Sequence, residues 1–167
     1  VGMATNMMPH NLSEVIDGVM ATVDNPEITI DELMQYVKAP DFPTGGVIYG
    51  MEGVKEAFHT GRGRVVLRGK AEVQILPNGK EEIVISEIPY QVNQSTLEVK
   101  IKDAVEAGKI QGVSAIHNLT NRNGIRIVID LKQDAISNVV VSQLFKHTPL
   151  QTSFGVNNVV LVNGRPQ

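Results

Sequence analysis

From Arg64 onward the apolar residues of this chain recur at every second position, and that change of period constrains the fold more than any other feature. Val65, Leu67, Ala71, Val73 and Ile75 face one way, while Arg64, Arg68, Lys70, Glu72 and Gln74 face the other. This is the alternation of a strand with one buried and one wet face. The "PNG" at 77–79 suits a three-residue hairpin loop with Gly79 in the left-handed conformation. A return strand in that register sets Ile83 opposite Val73 and Ile85 opposite Ala71, so both strands bury the same side.

A hairpin with one apolar face must be covered by another element, and the next segments offer the cover. "STLEVKIKDAVEAGK" reads as a helix with Ser95 and Glu98 as a capping box, Gly108 as terminator, and a stripe of Leu97, Ile101, Ala104 and Val105. "GVSAIHNL" and "GIRIVIDLK" alternate again around "TNRNG", a second hairpin, and "DAISNVVVSQLFKH" is a further helix with Asp134 as its cap. The tail "NNVVLVNGRP" offers one more short strand. The order strand, strand, helix, strand, strand, helix predicts an α+β fold, an antiparallel or mixed sheet with helices packed on one face.

Before this layer the chain is mainly helical. Asn11 and Glu14 frame a helix over "NLSEVIDGVMATVDN", with Leu12, Val15, Ile16, Val19 and Val23 on one face and Gly18 as a weak point. Thr29 and Glu32 frame a shorter one over "ITIDELMQYVK", which Pro40 and Pro43 close. "GVKEAFHTG" is a third, with Gly61 as its C-terminal glycine.

Composition removes several classes of function. The 167 residues include no cysteine, which excludes disulfides and thiolate zinc sites. The net charge is −3, so no global field draws the chain to a polyanion, and any such binding needs a local patch. No apolar run approaches the roughly 20 residues of a bilayer span. The first residues, "VGMATNMMPH", have no signal-peptide pattern and begin without Met, and the expectation is a portion of a longer polypeptide.

The local patch is "HTGRGRVVLRGKAEV", where Arg62, Arg64, Arg68 and Lys70 are set among Gly61, Gly63 and Gly69. Its glycines lack the spacing and the following Lys-Ser/Thr of a phosphate loop, and no helix follows them as a dinucleotide fingerprint requires. Aromatics for stacking bases are absent from it. Two readings remain. Arginine suits bidentate phosphate contact and glycine permits close approach, or the strand face is simply solvated, its arginines free or paired with Glu82.

Other chemistry is thin. His10, His59, His117 and His147 have no metal-ligand spacing, and His117 falls on the inward side with Val113 and Ala115, as a core histidine would. Tyr36 and Tyr49 read as core or rim packing, and Tyr90 as a strand-to-helix corner. No nucleophile, base and orienting group converge, so no catalytic and no metal-binding residue is assigned.

Five segments nevertheless occur in a telling order: "VGMATNMMPHNLSEVIDG", "APDFPTGGVIYG", "TGRGRVVLRGKAEV", "EIPYQVNQ" and "TPLQTSFGVNNVVLVNGRP". Together they resemble the breakage–reunion subunits of bacterial type IIA DNA topoisomerases, the A subunits of DNA gyrase most of all, with those of topoisomerase IV similar. The resemblance covers essentially the whole chain. It implies that residues 1–60 complete the breakage–reunion body on its winged-helix side, 61–156 form the α+β tower insertion, and 157–167 are a return strand or linker. It implies a non-catalytic portion of an ATP-dependent, DNA-supercoiling isomerase of the bacterial cytoplasm. That portion would flank bent duplex DNA through Arg62, Arg64, Arg68 and Lys70. The implied partners are duplex DNA and the gyrase B subunit in an A2B2 heterotetramer, with no membrane. The chain would hold no cofactor, Mg2+ and ATP being bound through the B subunit. The alternative role is a structural spacer without direct DNA contact.

This sequence departs from the family pattern in four places. The family's catalytic tyrosine, in an Arg-Tyr-Thr context upstream of "VGMATN", matches none of Tyr36, Tyr49 and Tyr90, so the chain alone should be inactive. Likewise, the isoleucine that wedges between base pairs belongs before Val1. Met7 and Met8 replace the usual Ile-Pro, and Gln94 replaces the usual Lys, which removes one cation.

Overall fold

The computed structural model describes residues 2–167 and divides into two compact units. One comprises the residues up to Pro43, Ile48–Val66 and Ser153–Gln167; the other comprises Thr44–Val47 and Leu67–Thr152.

The second unit is the α+β layer. Strands β3 (Lys70–Ile75), β4 (Glu81–Glu87), β5 (Val113–Asn118) and β6 (Ile127–Leu131) form a four-stranded antiparallel sheet in the order β3-β4-β6-β5. Helices α4 (Gln94–Glu106) and α5 (Ser137–His147) supply the cover. The core joins Ile83, Ile85, Ile127, Ile129 and Leu131 of the sheet to Leu97, Ile101 and Ala104 of α4 and to Val140 and Leu144 of α5. Ile83 pairs with Ile129 and Ile85 with Ile127, so one sheet face gathers the branched residues that drive its burial, each contributing roughly 1.5–3 kcal/mol.

The first hairpin has the expected register: Val73 opposes Ile83 and Ala71 opposes Ile85. Leu76 N–H donates to the Lys80 carbonyl at 2.8 Å, enclosing Pro77, Asn78 and Gly79, whose φ is +80°. Burial, however, is unequal. Ile83 is fully buried, while Val73 is 36% and Ile75 73% exposed, because β3 is the edge strand and its cover falls away toward the loop.

Some local expectations are corrected. The period-two segment is not one strand. It breaks at Gly69 into β2 (Arg62–Arg68) and β3, which lie in different sheets. A Cβ on Gly69 would meet the Glu87 carbonyl at 2.5 Å and Leu150 Cδ1 at 2.6 Å, so the crossing point admits no side chain. Helix α4 starts before Ser95, because the Asn93 side chain accepts the Thr96 N–H at 3.1 Å and caps it. Helix α5 starts after Asp134, with Ile136 at the cap position and no side-chain cap bond. His117 is also not a core histidine: a bulge between Val113 and Ala115 shifts β5, and the half-exposed ring bonds Asp130 at 2.9 Å.

The first unit carries the helices. Asn11 caps α1 (Leu12–Asp24) by accepting from Ser13 and Glu14 N–H groups, and Thr29 and Glu32 form the full capping box of the short α2 (Ile30–Leu33). Gly18 is the one buried residue of α1, and a Cβ there would lie 3.2 Å from Val37. The apolar face of α1 is present but exposed, from Val15 at 39% to Val23 at 74%. Helix α3 (Glu52–Thr60) ends at Gly61, whose φ is +77°. A three-stranded sheet has the order β1 (Val47–Ile48), β2, β7 (Gln151–Asn157), and β8 (Leu161–Val162) pairs with β9 (Arg165–Pro166).

Candidate nucleic-acid interface

Strand β2 exists because its inner residues have somewhere to go. Val65 is buried, and Gly63, on the same face of the strand, lies against Gly53 and Ala57 of α3. Gly63 and Gly53 of α3 approach so closely that a Cβ on Gly63 would sit 2.6 Å from the Gly53 carbonyl. With that face sealed by α3, strand alternation sends Arg62 and Arg64 to the other, and both are exposed. Among the described residues neither guanidinium has an ion-pair partner.

The start of β2 is held by both ends of the chain. The Asn158 N–H donates to the Gly61 carbonyl at 2.7 Å, and Asn157 and Asn6 exchange backbone hydrogen bonds at 2.8 and 3.0 Å. Thr5 Oγ1 donates to the Asn157 carbonyl at 3.1 Å and accepts from the Val159 N–H at 3.1 Å. Asn157 Nδ2 returns a bond to the Ala4 carbonyl at 2.9 Å. The "ATN" and "VNN" segments thus meet beside Arg62. Sequence reasoning read them separately, since a bridge across some 150 positions leaves no local periodic trace.

Arg68 and Lys70 are set differently. Arg68 is half-buried in the second unit. Its Nε donates to Gln151 Oε1 at 2.7 Å, and its guanidinium carbon lies 4.5 Å from the centre of the Phe145 ring, a cation–π distance. Lys70 opens β3 and pairs with Glu72 at 3.6 Å, both ends exposed, an interaction of little net value. Glu82, weighed as a partner for the arginines, pairs across the sheet with Gln74 and Asp130 and forms no ion pair with them among the described residues. The basic stretch therefore contains two exposed arginines without an ion-pair partner, one arginine packed on a ring, and one lysine beside a glutamate.

Gln94, at the position of the expected lysine, donates to Thr120 Oγ1 at 2.7 Å and to Asn118 Oδ1 at 3.3 Å. It ties the start of α4 to the end of β5. Among the described residues no three histidine, cysteine or carboxylate side chains converge to hold a metal ion, and no helix is long and apolar enough to cross a membrane. Tyr36 and Tyr49 are exposed and Tyr90 is half-buried.

The family model for the A subunit of DNA gyrase/topoisomerase IV matches residues 1–167. Among the relatives, the DNA gyrase A subunit of Clostridium acetobutylicum is 52% identical over 167 residues, covering all of this chain and 20% of that protein. Its counterpart in Haemophilus influenzae, also a DNA gyrase A subunit, is 50% identical over 167 residues, covering all of this chain and 19% of its own length. That of Neisseria gonorrhoeae is 51% identical over 169 residues, covering all of this chain and 18% of its own length. The chain thus spans about a fifth of the length of the curated relatives it matches.

Proposed function

The chain belongs to the family of DNA gyrase/topoisomerase IV A subunits, and we propose that within such a protein it forms a non-catalytic surface that flanks bent duplex DNA. The observation that carries the reading is the pair Arg62 and Arg64, exposed on one face of β2 with no ion-pair partner among the described residues. Two fork-shaped cations two residues apart on a rigid strand suit phosphate oxygens and carry no base preference. Bending a duplex costs several kcal/mol, and backbone contacts of this kind offset it.

In this proposal residues 1–60 belong to the breakage–reunion body, 61–156 to the tower insertion and 157–167 to a return strand or linker. The parent reaction is ATP-dependent passage of one duplex through a break in another, with negative supercoiling, in the bacterial cytoplasm. Mg2+ and ATP reside with the B subunit in an A2B2 assembly. The tyrosine that attacks DNA lies outside the 167 residues. A topoisomerase IV protein would use the same surface in the same way.

The test is to change Arg62 and Arg64 to Ala in the full-length protein and measure duplex affinity against salt. A lower affinity with a flatter salt dependence supports the reading, and an unchanged slope ends it.

The second reading, a structural spacer, draws on Arg68 and Lys70. Both have partners within the chain, as a strand face serving only stability would. It expects the same double variant to keep its DNA affinity, and surface changes on α4 or α5 to weaken capture of the B subunit in a pull-down.

A further inference from the structure

Arg68 does not stand alone. Helix α5 places Asn138, Ser142 and Lys146 at successive i, i+4 positions, a single stripe, and these three join Arg68, Phe145, Val141 and Gln151 around an open cleft of about 480 Å³. Two cations line it and no carboxylate does. All of these residues lie in the second unit.

The two cations are complementary in kind. Arg68 is held in place, its Nε on Gln151 at 2.7 Å and its guanidinium carbon 4.5 Å from the Phe145 ring centre. A guanidinium fixed before its ligand arrives loses little rotamer freedom on binding. Because an arginine Nε–H can only donate, Gln151 is oriented with its oxygen toward Arg68, and its amide NH2 remains as a neutral donor of the same cleft. Lys146 is exposed on its flexible stem and can swing onto an anion as a point charge. Ser142 is not a donor here, since its hydroxyl bonds the Asn138 carbonyl at 2.9 Å.

We propose that Arg68 and Lys146 form a discrete single-phosphate pocket of the second unit, which takes one phosphodiester group of a duplex. Lys146 is its newly assigned residue. The identity of the ligand as DNA rests on the DNA-flanking reading above, whereas the anion preference rests on the cleft alone.

The experiment has two arms. In the first, inorganic phosphate is titrated into the 167-residue chain while the Arg68 Nε–H resonance is followed by proton–nitrogen NMR. The expected result is a saturable shift whose midpoint rises on the order of tenfold in Lys146→Gln, as loss of one charge-assisted hydrogen bond implies. Lys100→Gln on α4, away from the cleft, should leave the midpoint unchanged. An unmoved resonance, or the same titration in Lys146→Gln, overturns the pocket and marks any binding as adventitious.

In the second arm, Lys146→Gln in the full-length protein should lower the salt slope of duplex binding by about 0.9. If phosphate titrates the cleft but the duplex slope stays unchanged, the duplex is overturned as its ligand. A slope that responds to Arg62→Ala/Arg64→Ala but not to Lys146→Gln removes the duplex as the pocket's ligand and keeps the strand reading. The opposite pattern removes the strand reading and keeps the pocket.

Discussion

A methyl group on Gly63 of β2 would lie 2.6 Å from the carbonyl oxygen of Gly53 on α3. The relationship is reciprocal, since a Cβ on Gly53 would run into the Arg64 carbonyl. Both obstacles are backbone, so neither can rotate away. Gly63→Ala should therefore cost about 1–3 kcal/mol, the usual range for overpacking, read as a lower midpoint in urea. Gly2→Ala, where nothing lies within 4 Å, serves as the control. Equal midpoints would mean that α3 does not seal this face, and the outward display of Arg62 and Arg64 would lose its cause.

That display sets the second prediction. Each phosphate contact releases counterions worth about 0.9 in the slope of log affinity against log salt. Removing both Arg62 and Arg64 should flatten the slope by up to about 1.8. The loss should be uniform across duplex sequences, because phosphates carry no base information. A fluorescence anisotropy series at several salt concentrations on two unrelated duplexes measures both properties. A loss confined to one duplex would point to base contacts and contradict the assignment.

The cap of α4 separates two neighbouring residues that look alike in sequence. Asn93 accepts the Thr96 N–H at 3.1 Å, whereas Ser95 lies within the helix. Asn93→Ala should cost about 1 kcal/mol and Ser95→Ala no more than about 0.5 kcal/mol. Thermal unfolding of the two variants decides it, and a reversed order would restore the sequence-derived cap.

These cases show which information was local. The register of Val73 with Ile83 was legible because a period-two pattern and a Gly-terminated loop fix it together. The exposure of Arg64 followed from the same alternation. The break at Gly69 was not legible. Apolar residues keep their parity across it, and only the distant Glu87 and Leu150 reveal that no side chain fits there. The packing of Arg68 on Phe145, 77 positions away, and its bond to Gln151, 83 positions away, left no mark on a reading of local pattern. Nor did the clasp of Asn6 on Asn157. The glycine-rich basic run was thus readable as a feature, but its division into displayed and held cations required the fold.

The last prediction concerns burial along one hairpin. Val73 and Ile83 face each other across β3 and β4 and point to the same side, so alternation alone assigns them equal weight. The structure does not: Ile83 is fully buried in the core shared with α4 and α5, and Val73 is 36% exposed on an edge strand. Truncating Ile83 removes buried methyl groups and leaves a cavity that rigid neighbours such as Ile129 cannot fill, whereas the site of Val73 is open to water. Ile83→Ala should therefore cost about 2–5 kcal/mol and Val73→Ala under about 1 kcal/mol. Paired denaturation curves test the difference. Similar losses at both positions would mean that something covers the outer end of β3 in solution, and the edge would then be an interface, not a free strand.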